Sequence, residues 1–306
     1  MSIYIVTVAN KSDGYYEILK QSCIRNGCEL TTLGFEEEWG GFVWKYKKLQ
    51  EFLKTINPND IVVFVDGFDV IMVNHIDKFI TQYKKFNKGI VLSIVNDLNI
   101  IKYFQKKMFN TIKYKGSKYW LCSGLYVGKT DDLIQMFDMM NIDLDTLNDD
   151  QLLLTQFLID NPKFANEKIA LDTQMELFTN ISRPRIQDWI IQNNNIPIKL
   201  SYKDGQLINE FNKPTIFIHG PGNIDLKQYI EQLGYNDVPD IPTFSNSRVE
   251  FYSKLLVQNL RLTDWITYIG WFLILIFIII ITVILIKKNR KKSIQNLNII
   301  NHISSI

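Results

Sequence analysis

The sequence predicts an α/β fold, a Rossmann-like, mostly parallel sheet with flanking helices, followed by one C-terminal transmembrane helix. Two observations predict the sheet and a third predicts the helix. Strand-like runs alternate with helix-like runs along most of the chain, which is the pattern of β-α-β units. The run Ile61-Val62-Val63-Phe64-Val65 is apolar throughout, as a strand covered by helices on both faces must be. Residues 265–286 carry no charge, and a bilayer takes about 20 such residues to cross.

The elements follow in order. Residues 3–8 form a short β-rich run, closed by the turn-forming cluster Asn10-Lys11-Ser12-Asp13-Gly14. Residues 15–26 place Tyr15, Ile18, Leu19 and Ile24 near one helical face, and Gly27 ends the helix. A second strand fits 30–33. Gly40-Gly41 then opens a loop before an amphipathic helix at 44–55. After the 61–65 strand, further strands fit 89–93, 120–127 and 215–219, with helices at 76–86, 131–140 and 149–160. Residues 1–236 are expected to form the globular domain. The segment 237–264, with Pro239 and Pro242, reads as a stalk, 265–286 as the membrane span and 287–306 as a basic tail.

A chain of 306 residues with a net charge of only +2 has no strongly basic field, which argues against nucleic acid as a partner. Three cysteines, Cys23, Cys28 and Cys122, lack the spacing of a zinc site and read as ordinary buried thiols. Trp265, Tyr268 and Trp271 near one end of the uncharged run, and Lys287, Lys288, Arg290, Lys291 and Lys292 after the other, match the flanks of a single-pass helix in a lipid bilayer. Its orientation has two readings. The basic cluster places the large domain outside or in a lumen, whereas the absence of a basic, apolar leader in the first residues favours the cytosol.

In a doubly wound sheet, ligands bind beyond the carboxyl ends of the strands. Asp66 and Asp69 follow the 61–65 strand directly. Two carboxylates on one turn can converge on a hard cation such as Mg²⁺ or Mn²⁺, leaving positions open for diphosphate oxygens. The alternative is a surface turn whose acids cap backbone groups. His219 follows the apolar run 215–218 and precedes Gly220-Pro221-Gly222, and it could supply a nitrogen ligand or be structural. Asn148-Asp149-Asp150-Gln151 opens a helix, where its acids are capping groups or a general base aimed at an acceptor hydroxyl. Trp44 and Trp120 read as core aromatics, Lys45 as part of a solvated face with Lys47 and Lys48, and Asp172 as either a pocket residue or a strand end.

The order VTVAN, EEEWGG, WKYKKLQEFL, VVFVDGFDVIM, YWLCSGLYVG, NDDQLLLTQFL, ALDTQ and IFIHGPG resembles the glycosyltransferase domain of the procollagen lysyl hydroxylases, from about residue 3 to residue 235. The hydroxylase part of those enzymes has no counterpart here. The resemblance implies a GT-A fold that binds Mn²⁺ and a UDP-sugar and moves galactose or glucose to an acceptor hydroxyl, including hydroxylysine of collagen-like protein. It implies Asp66, Asp69 and His219 as metal ligands. Val6 and Thr7 would border the nucleotide, Phe68 would pack near the uridine and Lys45 would meet the diphosphate. Ser123, Gly124, Gln151, Gly220 and Gly222 would line the donor site, with Asp149 and Asp150 beside the transfer centre as the catalytic acids.

Several positions depart from the family pattern. Cys122 stands where the family has Asn, Pro221 replaces another Asn, and Asp225 occupies the register of an expected Lys, with Lys227 two residues on. The acidic run is shorter, and residues 96–100 do not match a Trp-containing loop. These changes bear on donor and acceptor specificity, and they keep open a second reading, a membrane-tethered domain that binds nucleotide-sugar or a protein without turnover. A phosphohydrolase with an aspartyl nucleophile would have its acids two apart rather than three.

Overall fold

The computed structural model describes residues 1–95, 120–140, 142, 149–181, 200–203, 205–221, 224–239 and 269–282. The chain divides into two compact units, 1–243 and 244–306.

The first unit is built on a six-stranded sheet of β1 (Ile3–Val8), β2 (Leu30–Leu33), β3 (Ile61–Val65), β5 (Ile90–Val95), β6 (Trp120–Lys129) and β7 (Ile169–Leu171), in the order β2-β1-β3-β6-β5-β7. β1 runs parallel to β2 and β3, and β5 runs parallel to β7. β6 is antiparallel to both of its neighbours, so five of the six strands point one way. The mostly parallel α/β sheet expected from the sequence is present, with β6 reversed inside it.

Side chains alternate across this sheet and feed two cores. On one face Val6, Val8, Val62, Phe64, Leu92 and Tyr126 pack with helices α2 (Trp44–Leu53), α4 (Thr130–Met139), α5 (Asp150–Asp160) and α6 (Pro162–Lys168). On the other, Ile5, Val63, Val65, Val91, Leu125 and Val127 meet α1 (Tyr16–Arg25) and α3 (Ile76–Lys85). The helices lie close to their expected bounds, but α1 turns a different face inward. Cys23 is buried while Ile24 is 62% exposed. Six residues separate Ile18 from Ile24, which at 3.6 residues per turn carries Ile24 well away from the Ile18 face.

A second, three-stranded sheet, in the order β4-β11-β8, joins β4 (Val70–Met72), β11 (Phe217–His219) and β8 (Phe178–Asn180). The sequence showed β11 as a strand but neither β4 nor β8. Three-residue strands are too short to carry a period. A hairpin of β9 (Ser201–Lys203) and β10 (Gln206–Ile208) and a helix α7 (Lys227–Gln232) complete the unit.

The C-terminal expectation needs correction. Among the described residues no helix is long and apolar enough to cross a membrane. Within the expected span, the residues described as helix are 269–282. The remaining positions, 265–268 and 283–286, lie outside the described residues. The single-pass placement and the lipid bilayer as partner were inferred from that span, and they fall with it.

Candidate metal and transfer site

The two sheets meet where β3 ends, and that junction assembles the site. The turn Asp66-Gly67-Phe68-Asp69 leaves β3 in the large sheet and enters β4 in the small one. β11 pairs antiparallel with β4 and sets His219 opposite Val70, next to Asp69. The Gly220 N–H donates to the Asp69 carbonyl at 2.8 Å. On the other side, β6 brings Gly124 against the turn, and its carbonyl accepts from the Asp66 N–H at 2.8 Å. β6 can do this because its pairing with β5 shifts between Leu92 and Ser93. Leu92 faces Tyr126 and Ser93 faces Cys122, leaving residues 123–125 as a bulge that re-aims the strand beside the site.

One ligand atom from each of Asp66, Asp69 and His219 lies within 4.8 Å of the others. Two carboxylates and an imidazole suit a divalent cation and leave coordination positions open. Gly124 makes the convergence possible. A Cβ there would stand 2.5 Å from Asp66 Oδ2 and 2.7 Å from His219 Cε1. His219 is buried, with Nε2 3.2 Å from Asp69 Oδ1 and Nδ1 2.6 Å from Asn180 Oδ1. Burial alone would lower its pKa, but Asp69 and the neighbouring Cys122 outweigh burial and hold it well above the ordinary value. Burial raises the Asp66 carboxyl; Lys45 opposes that shift and the nearby Asp69 adds to it.

Lys45 does not lie on a solvated helix face. It is 4% exposed, and its Nζ sits 2.7 Å from both Asp66 Oδ1 and Asp150 Oδ2. Burial would lower its pKa, yet the two carboxylates reverse the shift and raise it. Lys45 thus ties the metal-capable turn to the first turn of α5. Asp150 is engaged through both oxygens, since Oδ1 also accepts from the Gln151 N–H at 3.0 Å. Asp149 precedes α5 and its carbonyl accepts from Leu153. Tyr46 donates to the Asp150 carbonyl at 3.0 Å and holds the helix start from beneath.

The other expected residues divide. Phe68 is partly buried, and its carbonyl accepts from the Tyr15 N–H at 2.8 Å, fastening the turn to α1. Thr7 is fully buried beside Gly67, and its hydroxyl has no hydrogen-bond partner among the described residues. Val6 is packed into the sheet core. Ser123 and Gly124 lie in the bulge, Gly220 follows His219 directly, and Gly222 falls outside the described residues. Cys122 stands beside His219, its Sγ 3.7 Å from Nδ1, and all three thiols are free. Trp44 packs in the core against Trp39, as expected of a core aromatic, while the Trp120 side chain is outside the described residues. Asp172 does end a strand. Its carboxylate caps the N–H groups of Glu176, Leu177 and Phe178. Asn180 and Tyr46 escaped the sequence reading: Asn180 sits in no motif, Tyr46 reads as one more aromatic of the 44–53 block, and only the strand register and helix packing bring them to the site.

An α/β domain with a carboxylate–carboxylate–imidazole cluster at the carboxyl end of a central strand is a scaffold for chemistry on a metal-bound substrate. The family model described as PLOD GT domain matches residues 1–246, and the chain belongs to that family of glycosyltransferase domains. Among curated relatives it is 28% identical over 249 residues to the procollagen-lysine,2-oxoglutarate 5-dioxygenase of Drosophila melanogaster, a match covering 74% of this chain and 32% of the relative. It is 26% identical over 191 residues to the human procollagen-lysine,2-oxoglutarate 5-dioxygenase 2, covering 59% of this chain and 25% of the relative. The chain therefore spans at most about a third of the length of these relatives. Similar solved structures include a glycosyltransferase involved in the glycosylation of the major capsid of PBCV-1, with 13% identity, TM-score 0.41, and 77% of this chain and all of that one covered. The galactosyltransferase LgtC has 11% identity and TM-score 0.38, covering 79% and 98% respectively. Likenesses this distant leave the fold to be judged on the sheets themselves.

Proposed function

We propose that this glycosyltransferase domain moves a hexose, galactose or glucose, from a UDP-sugar to an acceptor hydroxyl, in a reaction that depends on Mn²⁺. Hydroxylysine of collagen-like protein is the proposed acceptor class, supported by the similarity to the lysyl hydroxylase relatives. The observation that carries the reading is the Asp66–Asp69–His219 cluster, whose ligand atoms lie within 4.8 Å of one another around a glycine that must lack a side chain.

The residues present suit a hard divalent ion. The cluster offers two carboxylate oxygens and one imidazole nitrogen, and His219 Nε2 makes no hydrogen bond among the described residues. A bound Mn²⁺ would act as a Lewis acid on the departing diphosphate. The protein's own part is to hold Asp66 in place through Lys45 and to set Asp149 and Asp150 beside the acceptor hydroxyl. Either acid is proposed to position or deprotonate that hydroxyl; Asp150 also meets Lys45 through Oδ2 and the Gln151 N–H through Oδ1. Asp150 then sets the position and charge of the α5 start, and Gln151 follows it toward the donor. Thr7, Phe68, Ser123, Gly220 and Gly222 are proposed to border the UDP-sugar. Residues 1–236 are proposed as the transferase unit, with 237–264 as a stalk beyond it and 287–306 as a basic tail.

The test is UDP release from UDP-galactose and UDP-glucose in Mn²⁺, with and without a hydroxylysine-bearing collagen peptide. Wild type should release UDP and Asp69→Ala should not. Mn²⁺-dependent UDP binding without release from either donor would overturn the enzyme reading and leave a nucleotide-sugar-binding domain.

A further inference from the structure

Asn180 is fully buried at the end of β8, opposite His219 in the parallel β8–β11 register. Its amide makes two hydrogen bonds that determine one another. The Nδ2 group donates to the Ile94 carbonyl on β5 at 2.8 Å, and a carbonyl can only accept, so the nitrogen of the amide must face it. Oδ1 is thereby turned toward the imidazole, 2.6 Å from His219 Nδ1. An amide oxygen also only accepts, so Nδ1 must carry a proton. The other ring nitrogen, Nε2, then points at Asp69 and into the cluster.

We infer that Asn180 is a positioning residue for the metal centre: locked by the β5 backbone, it fixes the protonated nitrogen and ring plane of His219 so that Nε2 is the ligand. This rests on the metal reading proposed above and adds a residue to it. The physical reason is general. An imidazole can bind metal through either nitrogen, and the hydrogen bond made by the other nitrogen decides which. Here the decision is wired from the large sheet to the small one, since Ile94 lies on β5 and His219 on β11.

Mn²⁺ binding, followed by electron paramagnetic resonance without any donor sugar, tests the inference in three proteins. Asn180→Leu keeps the volume and removes the acceptor. Asn180→Asp keeps the acceptor and loses the tie to Ile94. The expected result is a loss of Mn²⁺ affinity of roughly 10- to 100-fold in Asn180→Leu, with most of the affinity retained in Asn180→Asp. Equal affinity in all three, or equal losses in both variants, would overturn the role through His219. Should Asn180→Leu fail to fold, nitrogen-15 spectra of the Mg²⁺-loaded wild type decide alone: a proton on Nδ1 supports the inference and one on Nε2 overturns it. A wild type that binds no Mn²⁺ would instead overturn the metal reading itself.

Discussion

Lys45 is a buried charge held by two carboxylates. A buried ammonium between two carboxylates at 2.7 Å is worth little against a well-packed apolar triad, but removing one member strands the others. Lys45→Met should therefore destabilise the fold by about 3–5 kcal/mol, read as a shift in the urea midpoint. A loss below about 1 kcal/mol would match an exposed pair instead. Asp172 gives the pH-dependent case. Burial pushes its carboxyl up to about 6, although three backbone N–H groups pull the other way. A folded pKa above the unfolded value of about 3.9 means the stabilisation is fully present below pH 3.9 and is lost as pH rises through 6. Wild type should therefore gain up to about 3 kcal/mol over Asp172→Asn between pH 7 and pH 4. A difference independent of pH would show that the carboxylate is equally tolerated in both states.

At the scale of elements, the site depends on a close approach and on one helix clamped to the small sheet. Gly124→Ala would press a methyl group into Asp66 and His219. Mn²⁺ affinity should fall by at least about tenfold, the size of a misplaced ligand shell, while far-ultraviolet circular dichroism stays unchanged. Phe79 on α3 meets Phe178 of β8 and Phe217 of β11 edge-on, at 5.8 and 5.9 Å between ring centres. These are the strands that carry Asn180 and His219. Phe79→Ala should cost about 3–5 kcal/mol and also weaken metal binding, because the small sheet loses its backing. Stability lost without any change in Mn²⁺ affinity would show that the two sheets hold the ligands independently of α3.

At the scale of the whole chain, the first compact unit ends at Thr243, close to residue 246 where the family match stops. Both cores and all three members of the metal-capable cluster lie within it. A fragment of residues 1–243 should unfold in one cooperative step and bind Mn²⁺ as the full chain does. A fragment that is unfolded, or that binds no Mn²⁺ when the full chain does, would show that residues 244–306 are needed for the site.

The sequence by itself determined the long elements, because their apolar period reads locally. The Ile61–Val65 strand and helices such as Trp44–Leu53 lie within two residues of where their patterns put them. It also determined the candidate ligands, since Asp66 and Asp69 sit on one turn and His219 on a glycine-flanked strand end. Tertiary structure decided what those residues meet. The reversed β6, the bulge beside Gly124 and the three-residue strands β4 and β8 are set by pairing between distant segments, which no local period records. Lys45 shows the difference most plainly. Beside Lys47 and Lys48 in sequence it reads as one more solvated charge, and only the packing of α2 under α5 makes it the cation shared by Asp66 and Asp150. The apolar run near the C-terminus shows the converse, since its uncharged residues are counted in the sequence while no described helix is long and apolar enough to cross a membrane.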